Sequence, residues 1–219
     1  MAAAPLVPTP HVDVWIDLLC PWAYLGQDRT DALRELGFEV RSRTYELHPD
    51  IPPGGRPVRA GGRLDATLAR IAEECAACGL ELRAPRRVPN SGPALTWVEA
   101  AGLVSPAQRE PIVRRLFAAH FVDGSDLEDP DVLAAAATSV GVDPEAVASS
   151  LDAAKSELSD SMRAARDAGV AATPAWRFES GFVIPGVQSR EATLRWASRV
   201  LARSGGVPGG DAATGRLHP

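Results

Sequence analysis

One stretch restricts the fold of this chain more than any other. Residues 11–17 (HVDVWID) run through Leu18 and Leu19 into Cys20-Pro21-Trp22-Ala23-Tyr24-Leu25-Gly26. Val12, Val14 and Ile16 alternate onto one face, which is the pattern of a strand. Proline suits the first position of a helix, where its missing N–H would be unpaired in any case, so Pro21 marks a helix start. That helix is predicted over residues 21–36, closed by Gly37, and residues 38–47 (FEVRSRTYEL) alternate again as a second strand. A strand, a helix and a strand joined this closely form a right-handed parallel unit with the helix amino end at the carboxyl edge of the sheet. Cys20 is therefore predicted at the edge where ligands usually bind.

At that position Cys20 caps the helix, with the backbone N–H groups of Trp22 and Ala23 directed back at its sulfur and the positive end of the helix dipole behind them. Both favour a thiolate, so the expected pKa of Cys20 is lowered. A second cysteine three residues on would complete a Cys-x-x-Cys redox pair, but Ala23 stands there. The chain keeps the nucleophile without its usual partner.

Beyond the second strand the composition changes. Residues 49–63 (PDIPPGGRPVRAGGR) are too rich in Pro and Gly for regular structure and are expected to form a mobile surface loop. Helices are then predicted over 64–78, 93–101 (closed by Gly102) and 106–121. Asp129-Pro130 and Asp143-Pro144 read as caps followed by first-turn prolines, and Gly141 and Gly169 read as stops. Strand pattern returns at 175–179, followed by a two-residue Ser180-Gly181 turn and a strand at 182–184, and 189–202 is a last amphipathic helix. Residues 204–219 (SGGVPGGDAATGRLHP) are expected to be disordered.

The 219 residues, 45% of them hydrophobic, suffice for an ordinary globular core. A net charge of -5 and the absence of a basic stripe with interleaved aromatics argue against nucleic acid as a partner. No apolar run is long enough to cross a membrane, and residues 1–10 lack a signal-peptide pattern, so no membrane partner and a cytoplasmic location are expected. Three cysteines fit a reducing compartment rather than a disulfide framework.

Six landmarks occur in order: the Cys20–Gly26 run, Glu46-Leu47-His48-Pro49-Asp50-Ile51-Pro52-Pro53, Pro89-Asn90-Ser91, Leu116-Phe117 through Phe121, Thr173-Pro174, and Gly186-Val187-Gln188. With these the chain resembles the cytoplasmic DsbA-like branch that includes FrnE-type oxidoreductases and 2-hydroxychromene-2-carboxylate isomerases, and more distantly the kappa-class glutathione transferases. The resemblance covers roughly residues 11–203. It implies an α/β, thioredoxin-like fold with a large helical insertion. Residues 11–48 and 170–203 would form the thioredoxin-like domain, 49–169 the insert, and 1–10 and 204–219 flexible termini. It also implies that Pro174 is a cis-proline facing Cys20, that Thr173 supplies backbone groups beside the thiol, and that Asn90 orients substrate or a thiol cofactor. Read without the family, Asn90 is a helix cap.

Two departures stand out. Redox members of the branch carry a second cysteine at the position of Ala23, and isomerase and transferase members carry serine at the position of Cys20. A mixed disulfide on Cys20 would therefore be released by a small-molecule thiol, or by Cys75 or Cys78. Cys75 and Cys78 do form a Cys-x-x-Cys, but at a helix end, where the dipole raises thiol pKa; two small apolar residues on one helical face is the plainer reading. No second Cys or His pair has the spacing for zinc, and the acidic run at 123–131 lacks the glycine and terminal glutamate of an EF-hand, so no metal is expected.

Of the four histidines, His48 lies near the edge that holds Cys20 and is a candidate proton shuttle, whereas His120 reads as a core or rim residue. Trp22 and Tyr24 are candidates to line an apolar substrate pocket with Pro21 and Ala23; Tyr24 alternatively packs the helix on the sheet. The catalytic set expected is Cys20, Trp22, Thr173 and Pro174; the substrate-binding set is Pro21, Ala23, Tyr24, His48 and Asn90. Thr173 and Asn90 would also hold a low-molecular-weight thiol such as glutathione or an equivalent.

Three activities follow. The first is reversible addition of Cys20 to a small conjugated molecule, leading to isomerisation, with a monomer or homodimer as the working unit. The second is monothiol thiol-disulfide exchange. The third is ligand binding or chaperoning without catalysis.

Overall fold

In the computed structural model residues 9–204 are described. The expectation of flexible ends falls almost wholly on residues 1–8 and 205–219, outside the described residues.

The first strand, β1 (His11–Ile16), leads to helix α1 (Pro21–Glu35) and strand β2 (Glu39–Thr44). Strands β1 and β2 pair in parallel, with His11 opposite Glu39 and Ile16 opposite Thr44. Near the carboxyl end of the chain, β5 (Ala175–Phe178) and β6 (Val183–Pro185) complete a sheet of order β2-β1-β5-β6, with β5 antiparallel to both β1 and β6. Strand β1 is thus central, and its alternation sorts the two faces. Val12, Val14 and Ile16 enter the main core, whereas Trp15 packs on the opposite side with Ala165, Val170 and Ala175. The last helix, α8 (Arg190–Ser204), packs against α1.

Residues between β2 and β5 supply α2 (Arg63–Ala77), α3 (Gly92–Val104), α4 (Arg109–Ala118), α5 (Pro130–Ser139), α6 (Pro144–Ser149) and α7 (Leu151–Asp167). Asp129 and Asp143 cap α5 and α6 as their side chains accept from Asp131 and Glu145 N–H, with proline at the first helical position of each helix. One buried apolar cluster runs from β1 through α2, α3 and α4 to α6 and α7. The free edge of β2 is not left open. Arg109 Nε donates to Ser42 O at 2.8 Å and Ser161 Oγ to Thr44 O at 2.7 Å, which satisfies edge carbonyls without a further strand.

Local pattern misled the sequence reading at four places. The segment 49–63 is anchored: Ile51 is buried, and the two-residue strand β3 (Arg56–Pro57) pairs with β4 (Arg87–Val88). Gly55 permits that approach, since its φ is +66° and a Cβ there would lie 2.5 Å from Val88 O. Helix α3 does not stop at Gly102 but continues to Val104; Gly102 instead makes room for Arg109, whose Nη1 would lie 2.8 Å from a Cβ. The helix expected over 106–121 is a 3-10 turn (Pro106–Gln108), α4, and then a π-helical turn (Ala119–Asp123) that ends at Gly124 with φ +68°. The β5–β6 turn is longer than two residues, closed by Phe178 N–H to Phe182 O at 2.9 Å.

Candidate active site

Cys20 occupies the cap of α1 with extended backbone (φ -81°, ψ 112°), Pro21 follows at the first helical position, and Tyr24 N–H donates to Cys20 O at 3.0 Å. The cap position and the first-turn proline are those expected from the sequence, but the sulfur makes no capping hydrogen bond to the helix N–H groups. The titration also differs. Cys20 is only 6% exposed. Burial pushes its thiol above the ordinary value, and the nearby Asp17 carboxylate acts in the same direction. The Thr173 hydroxyl and the amides of Ala23 and Trp22 favour the thiolate but are outweighed. The expectation of a lowered pKa is therefore corrected: desolvation of a nearly enclosed sulfur exceeds what a helix end returns. The resting sulfur is a thiol, and it donates to Thr173 O at 3.2 Å.

Thr173 lies opposite because the chain there leads directly into β5, which pairs with β1; the Thr173–Pro174 bond is cis. Its hydroxyl is buried and has no hydrogen-bond partner. Pro174 meets the other side of α1, where a Cβ on Gly26 would lie 3.1 Å from Pro174 Cγ.

A cavity of about 340 Å³ opens in front of Cys20. Of the residues proposed from the sequence, Pro21, Trp22 and His48 line it, and α2 adds Arg63, Leu64 and Thr67. The Arg70 guanidinium sits 5.3 Å from the Trp22 ring centroid. Three residues assigned to substrate binding are elsewhere. Tyr24 is a core residue, with its ring 4.9 Å from that of Phe121 and its hydroxyl donating to Glu81 O. Ala23 is buried toward Val14, Ile16 and Pro174 behind the helix. Asn90 uses its amide locally, donating from Nδ2 to Ile51 O at 2.6 Å and accepting Gly92 N–H at 2.8 Å, one residue ahead of Ser91, which holds the cap position of α3. In each case a side chain close to Cys20 in sequence, or matching a family position, is turned away by the packing of α1 or α3.

The sequence reading missed two residues. Asp17 is fully buried; its Oδ1 accepts Leu19 N–H at 3.0 Å and its Oδ2 accepts Leu47 N–H at 2.7 Å. One carboxylate thereby ties the Cys20 loop to the segment carrying His48. Burial raises its pKa against those two amides, the Ser91 hydroxyl and the charge of His48. An acidic residue at the apolar end of a strand was the available signal. His120 is 2% exposed and reaches the Cys20 cavity from the π-helical turn. Its Nδ1 has no partner, and burial lowers its pKa to about 4, so it is a neutral imidazole near pH 7.

Cys75 and Cys78 do not line this cavity. Cys75 is enclosed in the core and burial pushes it to about 11; Cys78, also raised by burial, accepts Arg29 Nη1 at 3.7 Å. Among the described residues no group of three or more His, Cys, Asp or Glu is gathered to hold a metal, and no helix is long and apolar enough to cross a membrane.

A mixed sheet with a cis-proline facing a helix-capping cysteine, interrupted by a block of helices, defines a class of thiol proteins. The chain belongs to the family of DsbA-like thioredoxin domains, whose sequence model matches residues 11–195. It is similar in structure to a probable DsbA oxidoreductase of Streptomyces coelicolor (TM-score 0.78, 22% identity, 93% of this chain and 94% of that one). It is also similar to a 2-hydroxychromene-2-carboxylate isomerase (TM-score 0.70, 22% identity, 88% and 96%). A third likeness is to the cytosolic disulfide reductase DsbM of Pseudomonas aeruginosa (TM-score 0.64, 20% identity, 88% and 98%). In sequence it is 24% identical over 145 residues to the uncharacterized protein YwbO of Bacillus subtilis, 66% of this chain and 72% of that one.

Proposed function

We propose that this protein is a thiol-dependent enzyme that uses Cys20 alone on a small conjugated molecule and isomerises it by reversible addition. The observation that carries the reading is that Cys20 shares a half-open cavity with Trp22, and no second cysteine lines it. About 340 Å³ suits a small molecule rather than a protein loop.

In the addition step the sulfur forms a bond to the β-carbon of an unsaturated carbonyl compound and the C=C electron pair moves to the carbonyl oxygen. His48 takes the thiol proton and passes it to the enolate oxygen. After rotation about the former double bond His48 takes that proton back, the electron pair returns to re-form C=C as the C–S bond breaks, and His48 gives the proton to the departing sulfur, which releases the isomer and regenerates the thiol. The unpartnered Thr173 hydroxyl supports this scheme, since it is a donor available to charge that develops beside the sulfur. Burial of the resting thiol fits as well: the thiolate forms with substrate bound, not in the empty site.

A low-molecular-weight thiol, glutathione or an equivalent, acts with Cys20 or releases adducts from it. We place the enzyme in the cytoplasm, working as a monomer or homodimer on a small molecule without nucleic acid or membrane. The second reading, monothiol disulfide exchange, is favoured by the Thr173 carbonyl beside Cys20, a backbone acceptor of the kind that engages extended substrates.

The test is a screen of cis-configured conjugated acids and ketones, followed by mass spectrometry for an adduct on Cys20 and by NMR for the trans product. Turnover lost in Cys20→Ser supports the proposal. Turnover retained in Cys20→Ser, or rapid exchange with glutathionylated substrates and no isomerisation, overturns it.

A further inference from the structure

Beside the Cys20 cavity lies a second one, of about 720 Å³, and the two share His48, Arg63, Leu64 and Val88 as walls. They differ in character. To these shared walls the chamber next to the sulfur adds Leu19, Pro21 and Trp22, whereas the second adds Arg56 and Arg59 beside the shared Arg63, and no carboxylate lines it. Arg56 is matched by Asp50 at 2.8 Å, but among the described residues the guanidinium groups of Arg59 and Arg63 have no ion pair. In a chain of net charge -5 this is a local excess of positive charge against the overall balance. Pairing of β3 with β4 and the buried Ile51 hold the segment carrying Arg56 and Arg59 in place, and Arg63 opens the 15-residue α2, whose cap, Gly62, offers no side-chain acceptor. Guanidinium groups are the side chains best matched to planar anionic groups.

We infer that the site takes an elongated anionic ligand. Its reacting end lies against Cys20 and Trp22, and a carboxylate or phosphate is held by Arg59 and Arg63 in the adjoining chamber. The inference rests on Cys20 as the reacting thiol and adds the charge and length of what it reacts with. It selects against neutral molecules that fill only the apolar chamber. It also assigns the segment 49–63 a role in substrate selection.

Two aromatic disulfides test this without knowledge of the natural substrate: 5,5′-dithiobis(2-nitrobenzoate), with a carboxylate on each ring, and neutral 4,4′-dithiodipyridine. In both reactions the reagent's S–S bond breaks, a new S–S bond forms to Cys20, an aromatic thiolate leaves and the thiol proton goes to buffer. Rates are measured on the full chain, with Cys20→Ala subtracting reaction at Cys75 and Cys78. The ratio of anionic to neutral rate is expected to fall about tenfold in Arg59→Gln/Arg63→Gln, the scale on which a charged cleft alters association, and to lose most of its salt dependence. Arg59→Lys/Arg63→Lys, which keeps the charge, should retain most of the ratio.

Protection from the anionic reagent by inorganic phosphate but not acetate, at equal ionic strength, assigns a phosphate end; the reverse assigns a carboxylate. A ratio unchanged within twofold, with Cys20 reactive to both reagents, overturns the anionic subsite and leaves the reading of Cys20 intact. No reaction of Cys20 with either reagent overturns both.

Discussion

The neutral, enclosed imidazole of His120 leads to a stability prediction that can be worked through. Its folded-state pKa is lowered from 6.5 to about 4 because burial penalises the cation more than Asp126 and the Ser125 backbone favour it. Between those two pH values the unfolded chain binds a proton that the folded chain refuses. The contribution is therefore complete above 6.5 and is lost as pH falls toward 4. At about 1.4 kcal/mol per unit the loss amounts to about 3 kcal/mol, a large part of a typical domain's stability. His120→Phe keeps a ring in the pocket beside Phe121 and removes the titration. Urea denaturation of both proteins at pH 7 and pH 4 should show the wild type losing about 3 kcal/mol more than the variant over that interval. Carboxylates elsewhere titrate in both proteins and cancel in the difference. Equal losses, to within about 1 kcal/mol, would refute the argument that burial keeps this imidazole neutral.

Removing the Asp17 carboxylate leaves the amides of Leu19 and Leu47 without their acceptor; Asp17→Ala should cost about 2–4 kcal/mol in chemical denaturation, at about 1–3 kcal/mol per orphaned donor less the relief of a buried charge. Alkylation of Cys20 by iodoacetamide, followed by mass spectrometry, should keep accelerating with pH beyond the range of an ordinary thiol; a plateau by about pH 8 would contradict the dominance of burial. Of the two tyrosines, Tyr24 should ionise only near about 12 in the folded protein, read as tyrosinate absorbance, because burial and neighbouring anionic groups oppose its charge. A titration complete near pH 10 would place its ring in water.

Much of the fold was legible in the sequence because the signals were local. The alternation of Val12, Val14 and Ile16, the first-turn Pro21, the stop at Gly37 and the Asp-Pro caps of α5 and α6 each act through residues a few positions apart. The cysteine and the flanking tryptophan were legible for the same reason, whereas the proline opposite came only from the family resemblance. What failed depended on distant partners. Gly102 looks like a helix stop until Arg109 is seen to need its space, and the glycines of 49–63 look like disorder until Val88 is seen to approach one of them. Tyr24 was assigned to the site by proximity in sequence and Asn90 by family resemblance, yet their orientation was decided by Phe121 and Ile51.

By itself, then, the sequence determined that a single cysteine caps the first helix of a parallel strand-helix-strand unit, since capping and alternation are short-range rules. Only the tertiary structure decided that this cysteine is buried and that a carboxylate just past the preceding strand ties it to the His48 segment. It also decided that residues of α2 and of a π-helical turn, distant in sequence, line its cavity. The thiol's protonation follows from those long-range facts. Desolvation depends on everything that surrounds a group, and no local pattern encodes it.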